Sequence, residues 1–100
     1  EHLLRANTPV NSFKVINCVL CDCDIFLNTL GGQDEPDYGH TDVLMLGNTY
    51  RSNTDRAIIG CTGKRTASIK VLGSTVQGDF KPKYTGNIEL LESDIDLIRE

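Results

Sequence analysis

The chain has 100 residues, of which 39% are hydrophobic and 24% are charged. These values are typical of a single globular domain and exclude a disordered chain. No apolar run approaches the roughly 20 residues that a membrane helix needs, so we expect no membrane span. The net charge of −4 argues against nucleic acid as a partner, because phosphate binding needs a strongly basic footprint.

In chain order, the sequence predicts an N-terminal arm over residues 1–12 and a single β-rich domain over residues 13–100. Runs rich in apolar and β-branched residues, separated by turn residues, predict strands rather than helices. No internal repeat is apparent. The predicted strands are Phe13–Leu20, Asp24–Asn28, Thr41–Leu46, Arg56–Cys61, Thr66–Leu72, Thr75–Gln77, Asn87–Leu91 and a strand in the tail after Ser93.

The spacing of these runs predicts an all-β fold. Turn signals recur roughly every eight to twelve residues, as in sandwiches and small barrels. The turn Thr62–Lys64 predicts a hairpin between the runs on either side of it. We therefore expect a small β-sandwich or barrel of about seven to eight short antiparallel strands, stabilised by disulfides.

Four cysteines support the disulfide prediction: Cys18, Cys21, Cys23 and Cys61. Any full pairing joins Cys61 to the N-terminal cluster across a loop of roughly forty residues, worth about 4 kcal/mol by loop-closure entropy. Such bridges persist in oxidising compartments, so they predict a secreted protein. The alternative is an intracellular zinc-binding or viral accessory module, in which the four thiolates share one zinc ion.

Charge is distributed unevenly along the chain. Residues 51–83 carry a net charge of +5, whereas residues 1–50 carry −5 and residues 84–100 carry −4. An acidic, turn-rich stretch over residues 31–40 is the longest irregular segment and is predicted to be a binding loop. Tyrosine and arginine are frequent interface anchors. The predicted binding residues are Tyr38, His40, Arg51, Arg56, Lys64 and Arg65.

Catalytic signatures are weak in this sequence. His40 with Glu35, Arg65 and Tyr84 offers the residue types of a small ribonuclease-like hydrolase, but without a characteristic spacing. Acidic–hydrophobic runs in the tail also resemble segments that add a strand to ubiquitin-like modifiers. We predict no catalytic residue, metal or cofactor.

The sequence thus favours a small secreted protein that resembles effectors or toxins and is expected to act in virulence. It is expected to bind a target macromolecule, most plausibly a protein, and not to act as an enzyme. The first residue is Glu1 and not methionine, which fits removal of a secretion signal or recombinant trimming. The oligomeric state is not predicted.

Overall fold

The computed structural model describes residues 2–6, 11–29 and 40–100. These residues form twelve strands and no helix, so no described segment is a helix that could cross a membrane. The strands are β1 (His2–Ala6), β2 (Ser12–Ile16), β3 (Val19–Cys21), β4 (Asp24–Thr29), β5 (His40–Leu46), β6 (Thr49–Arg51), β7 (Arg56–Gly63), β8 (Thr66–Leu72), β9 (Thr75–Gln77), β10 (Pro82–Gly86), β11 (Ile88–Ser93) and β12 (Ile98–Arg99).

The strands form three sheets in which every neighbouring pair is parallel. Sheet A has the order β1-β4-β7-β10-β12, sheet B has β11-β8-β5-β2, and sheet C has β3-β6-β9. The chain therefore visits sheets A, B and C in turn and returns to sheet A one rung further along, at about 4.8 Å per rung. This is a parallel β-helix, a solenoid whose coils stack along one axis.

The prediction of an all-β chain is confirmed, but the antiparallel sandwich or barrel is wrong. The expected hairpin shows why: β7 belongs to sheet A and β8 to sheet B, and no pairing joins them. A turn signal marks a change of chain direction, and a solenoid corner needs the same residues as a hairpin. The segment predicted to be an arm contains β1, which pairs with β4.

The predicted disulfides are also wrong, because all four cysteines are free thiols. Cys61 pairs in register with Leu27, whereas Cys23 lies before β4 and four residues from Leu27. That offset is roughly 13 Å along a strand, well beyond the ~7 Å Cα separation that a disulfide spans. Cys18 precedes β3 and Cys21 ends it in the first coil, and Cys61 lies on the third rung of another sheet.

The core is a set of columns that run through the coils. Alternate residues of each strand point inward, so residues aligned by the parallel register share one column. On sheet B, Val15, Met45 and Val71 form one such column, and all three are buried. The strands therefore leave the intervening residues on the outer face, where a partner can reach them.

The corner between sheets B and C has the same backbone conformation in three successive coils. Asn17, Gly47 and Gly73 have φ values of 55°, 68° and 61°, in the left-handed region. The N–H of Asn17 donates to the carbonyl of Leu46, and that of Gly47 to the carbonyl of Leu72, each at 2.9 Å. Glycine accepts this conformation without strain, and asparagine accepts it more readily than most residues.

The tail crosses from sheet B directly to sheet A. Asp94 follows β11, and β12 then pairs with β10, so the last turn has no strand in sheet C. Leu97 in the crossing segment is buried, and Ile95 is half-buried against the core. The tail therefore covers apolar surface at the C-terminal end of the solenoid. The tail has one short strand at Ile98–Arg99, but residues 94–97, whose alternation suggested a strand, form the crossing segment instead.

Candidate binding surface

A groove of about 530 Å³ lies on the outer face of sheet B. Most of the residues that line it lie on β2, β5 and β8, and β11 adds Leu91. The outward residues that line it are Ser12, Lys14, Asp42, Leu44, Ser68, Lys70, Leu72 and Leu91. We call this set of residues the sheet B face.

The sheet B face carries an alternating pattern along the solenoid axis. Lys14, Leu44 and Lys70 are aligned by the parallel register of β2, β5 and β8. Two rungs separate the lysines, so their Cα atoms lie roughly 10 Å apart. The leucine between them gives the row a basic, apolar, basic order.

A second row of outward residues also alternates, in this case between serine and aspartate. Ser12, Asp42 and Ser68 are aligned in the same register, one outward position earlier along each strand. Asp42 is exposed, whereas Ser68 is only 8% exposed. Within the groove Asp42 is the one carboxylate beside two ammonium groups, whereas β11 adds Glu89 beside Ser68 and Glu92 beside Lys70 at the edge of the face.

A β-bulge shapes one end of the groove. The register of β11 against β8 shifts between Leu90 and Glu92, which leaves Leu91 without a partner. Leu91 is 51% exposed and lines the groove. Bulges commonly redirect a side chain at functional surfaces, and here the bulge adds an aliphatic side chain to the groove beside Glu92, the residue that the register aligns with Lys70.

Both lysines on the face are available for a partner. Lys14 and Lys70 are exposed, and within the described ranges neither has a carboxylate at ion-pair distance. Ammonium groups without an internal partner keep their full attraction for an external anion. A ligand that supplies carboxylates therefore gains two ion pairs without breaking any that exist.

The structure separates the residues that the sequence grouped into one binding surface. His40 begins β5, and Lys64 and Arg65 form the turn between β7 and β8, so these three lie at the corner between sheets A and B. Arg51 ends β6 in sheet C, where its Nε donates to Gln77 at 2.8 Å. Arg56 begins β7 at the corner between sheets C and A. Tyr38 lies outside the described residues.

Two of the residues at the corner between sheets A and B, His40 and Arg65, contact residues of other coils. Arg65 donates to the side chain of Asn11 at 2.8 Å, which ties the third coil to the first. His40 Nε2 lies 3.9 Å from a carboxylate oxygen of Glu89, and both side chains are more than half exposed. The role of these residues in binding stays a prediction.

The described residues do not form a site for either alternative, the ribonuclease-like hydrolase or the zinc-binding module. Tyr84 lies in sheet A beneath the guanidinium of Arg99, 4.7 Å from the ring centre, whereas His40 lies at the start of a sheet B strand. Glu35 lies outside the described residues. Among residues 2–6, 11–29 and 40–100, no three histidine, cysteine or acidic side chains are placed to share a metal ion.

The cysteines differ in their environment. Cys61 is buried in the core, and Cys21 is exposed at the end of β3. Burial raises the pKa of the Cys23 thiol, although its backbone hydrogen bond with Cys21 and the positive charge of Arg56 partly oppose this. A raised pKa leaves less thiolate at neutral pH and lowers reactivity.

Comparison of the chain with protein-family models, curated proteins and solved structures finds no match. A proposal for the function of this chain must therefore be argued from the chemistry of its own surfaces. The sheet B face combines a groove with two lysines that form no ion pair within the described ranges.

Proposed function

We propose that this protein acts by binding a target protein rather than by catalysis, and that the sheet B face is the surface that binds. The observation that carries the proposal is the row Lys14–Leu44–Lys70, in which two unpaired ammonium groups flank an aliphatic side chain. Such a row matches a partner segment with acidic side chains on either side of an aliphatic one.

The side-chain types favour a protein over a carbohydrate or a nucleic acid. The outward residues described on β2, β5, β8 and β11 include leucines and isoleucine but no tyrosine, tryptophan or phenylalanine, and the groove itself has one aromatic lining residue, Phe13. Single-stranded nucleic acids bind on aromatic stacking platforms within strongly basic grooves. Exposed aliphatic side chains beside ammonium groups fit a partner that carries leucine or isoleucine together with aspartate or glutamate.

The spacing of the lysines further restricts the partner segment. An extended peptide rises about 3.3 Å per residue and its side chains alternate between two faces, so acidic side chains four residues (about 13 Å) apart share a face with the residue midway between them. A peptide that lies along the solenoid axis would place that middle residue near Leu44, and the long lysine side chains can span the difference from about 10 Å. We therefore expect the motif Asp/Glu-x-aliphatic-x-Asp/Glu.

Selection from a random peptide library displayed on phage tests the proposal. The wild-type protein should enrich acidic–aliphatic peptides of that spacing. The double variant Lys14→Glu/Lys70→Glu should bind the enriched peptides at least about tenfold more weakly, because like charges then face each other. Fluorescence polarisation of labelled synthetic peptides gives the dissociation constants.

The matched control is Lys81→Glu/Lys83→Glu, which makes the same change in net charge at a turn and on sheet A. This control should stay within about twofold of the wild type, because its charges lie away from the groove. Enrichment of peptides without acidic residues, or equal weakening in both double variants, would reject the sheet B face as the binding surface.

A further inference from the structure

The row of outward residues that contains the two lysines continues beyond Lys70 into the fourth coil. The register of β11 against β8 places Glu92 beside Lys70, so the row reads lysine, leucine, lysine and glutamate along the solenoid axis. The first three members are symmetric, because a lysine stands on each side of Leu44. Their charges would fit an acidic–aliphatic segment equally well in either direction. Glu92 removes that symmetry.

The bulge in β11 places two outward residues opposite one. Leu90 and Ser93 align with buried residues of β8, and Leu91 and Glu92 lie between them, opposite Lys70 alone. Leu91 is 51% exposed and lines the groove, and Glu92 is also exposed. An aliphatic side chain and a carboxylate therefore lie next to each other where the groove meets the fourth coil.

This pair of side chains suits a basic residue of the partner. Lysine and arginine have an apolar stem, which packs along apolar surface, and a charged head, which stays with water or with an opposite charge. On this face the stem would lie against Leu91 and the head would reach Glu92. An acidic side chain in the same place would instead be repelled by Glu92, which disfavours a partner segment that is acidic throughout.

The carboxylate of Glu92 is available for such a contact. Within the described ranges no basic group lies at ion-pair distance from it, although Lys70 is its neighbour across the strands. Glu89, which β11 also adds to this face, differs because His40 lies 3.9 Å from it. A ligand that carries both signs of charge gains from Lys70 and from Glu92, whereas for a purely acidic ligand the two partly cancel.

We propose that Glu92 sets the direction of the bound segment by selecting a lysine or arginine beside the second acidic residue. This role rests on the proposed function and deepens it, because the motif becomes Asp/Glu-x-aliphatic-x-Asp/Glu-x-Lys/Arg with its basic end at β11. Alternation in an extended segment puts the basic residue on the same face as the acidic ones. The row spans roughly 14 Å and the motif roughly 20 Å, and the long side chains on both partners cover the difference.

Fluorescence polarisation with three synthetic peptides tests this role. The peptides share the sequence Asp-Ser-Leu-Ser-Asp-Ser, carry the label on a neutral N-terminal linker, and end in an amidated lysine, glutamine or glutamate. At about 0.15 M salt, exposed charges act only at short range. The wild type should bind the lysine peptide about threefold more tightly than the glutamine peptide and about tenfold more tightly than the glutamate peptide, as one exposed ion pair and its reversal provide.

Variants of β11 assign the preference to one residue. Glu92→Gln should bring the three dissociation constants within about twofold of one another, and Glu92→Lys should reverse their order, because the charge that selects the peptide is removed or inverted. Glu89→Lys is the matched control, since it makes the same change on the same strand but beside Ser68 in the other row. This control should keep the order lysine, glutamine, glutamate. Circular dichroism establishes that each variant is folded.

The outcomes distinguish this role from the proposed function. Equal binding of all three peptides by the wild type, with weaker binding by Lys14→Glu/Lys70→Glu, would overturn the role of Glu92 and leave the sheet B face as the binding surface. A preference for lysine that persists in Glu92→Gln would also reject Glu92 as its source. Binding that Lys14→Glu/Lys70→Glu leaves unchanged, or no binding of any peptide at millimolar concentration, would overturn both.

Discussion

Asn48 is a buried side chain whose amide donates to the backbone carbonyl of Val15, 3.0 Å away in the preceding coil. Its carbonyl oxygen accepts the N–H of Cys18 at 2.9 Å, and its amide also lies 3.4 Å from the hydroxyl of Tyr50. One side chain thus satisfies two backbone groups where the first coil turns from sheet B to sheet C. Buried polar groups need such partners.

Asn48→Ala should therefore destabilise the fold strongly. It leaves a buried carbonyl and a buried N–H without partners, and each costs about 1–3 kcal/mol. Chemical denaturation should show the free energy of unfolding falling by about 3 kcal/mol. Asn87→Ala is the control, because the exposed Asn87 amide bonds the carbonyl of Arg65 where water can replace it. Equal losses in the two variants would contradict the role assigned to Asn48.

The left-handed corner gives a second prediction. A Cβ at Gly47 would collide with Oδ1 of Asn17, and the φ of +68° is itself unfavourable for alanine. Gly47→Ala should cost about 1–2 kcal/mol of unfolding free energy, chiefly from the left-handed φ, because Oδ1 is the tip of an exposed side chain that can rotate away. Most of this loss should therefore remain in the double variant Asn17→Gly/Gly47→Ala. A large coupling in the double-mutant cycle would instead show that the collision with Asn17 causes the loss.

The carboxylate of Asp94 gives a prediction about pH. Burial opposes its ionisation, but the backbone N–H of Ser74, which donates to the carboxylate at 3.0 Å, and the neighbouring backbone of Gly73 outweigh this and lower the pKa of Asp94. A lowered pKa stabilises the fold at pH values above the ordinary value of 3.8, and the effect is lost as pH falls through the folded value.

The stability difference between wild type and Asp94→Asn should therefore be constant near neutral pH and shrink below about pH 4. Urea denaturation at several pH values measures it. Asp96→Asn serves as the comparison, since the side chain of Asp96 is exposed and makes no hydrogen bond within the described ranges. A difference for Asp94→Asn that grows on acidification would contradict the assignment.

The cysteines give a fourth prediction, which tests whether all four are free thiols. Intact mass under non-reducing conditions should match four protonated cysteines, without a deficit of about 2 or 4 Da. Alkylation of the native protein should modify the exposed Cys21 first. Cys61 should react only on unfolding, because it is buried in the core. Rapid modification of Cys61 in the folded protein would contradict its placement.

The positions of β2, β4, β5, β7, β8, β9 and β11 were predictable from the sequence, because alternation and β-branched content report whether a short segment is extended. The strands β1, β6 and β10 were not predicted, and the run Phe13–Leu20 is broken by the corner at Asn17. The direction in which strands pair was not, because glycine and asparagine serve hairpins and solenoid corners alike. The expected hairpin around residues 62–64 failed for this reason. The secreted location and the effector-like role stay predictions, and the free thiols remove the disulfide argument for them.

One signal for the solenoid was present in the sequence. Residues 13–17, 43–47 and 69–73 share an apolar residue, an outward residue, a second apolar residue, an aliphatic residue and then asparagine or glycine. The copies lie 30 and 26 residues apart, which hides the repeat from a search at fixed period. Aligning them reveals both the left-handed corner and the Lys14–Leu44–Lys70 row.

The stacking of coils has a consequence for how the molecule opens. Among the described strands, the sheets join each coil only to the coils before and after it, so none of these strands holds the first and last coils together. Amide hydrogen exchange should accordingly be slowest in β5, β7 and β8 and quicken toward both termini, as in a zipper that frays from its ends. Any ligand held across several rungs would slow that fraying, which makes exchange protection a direct reporter of occupancy.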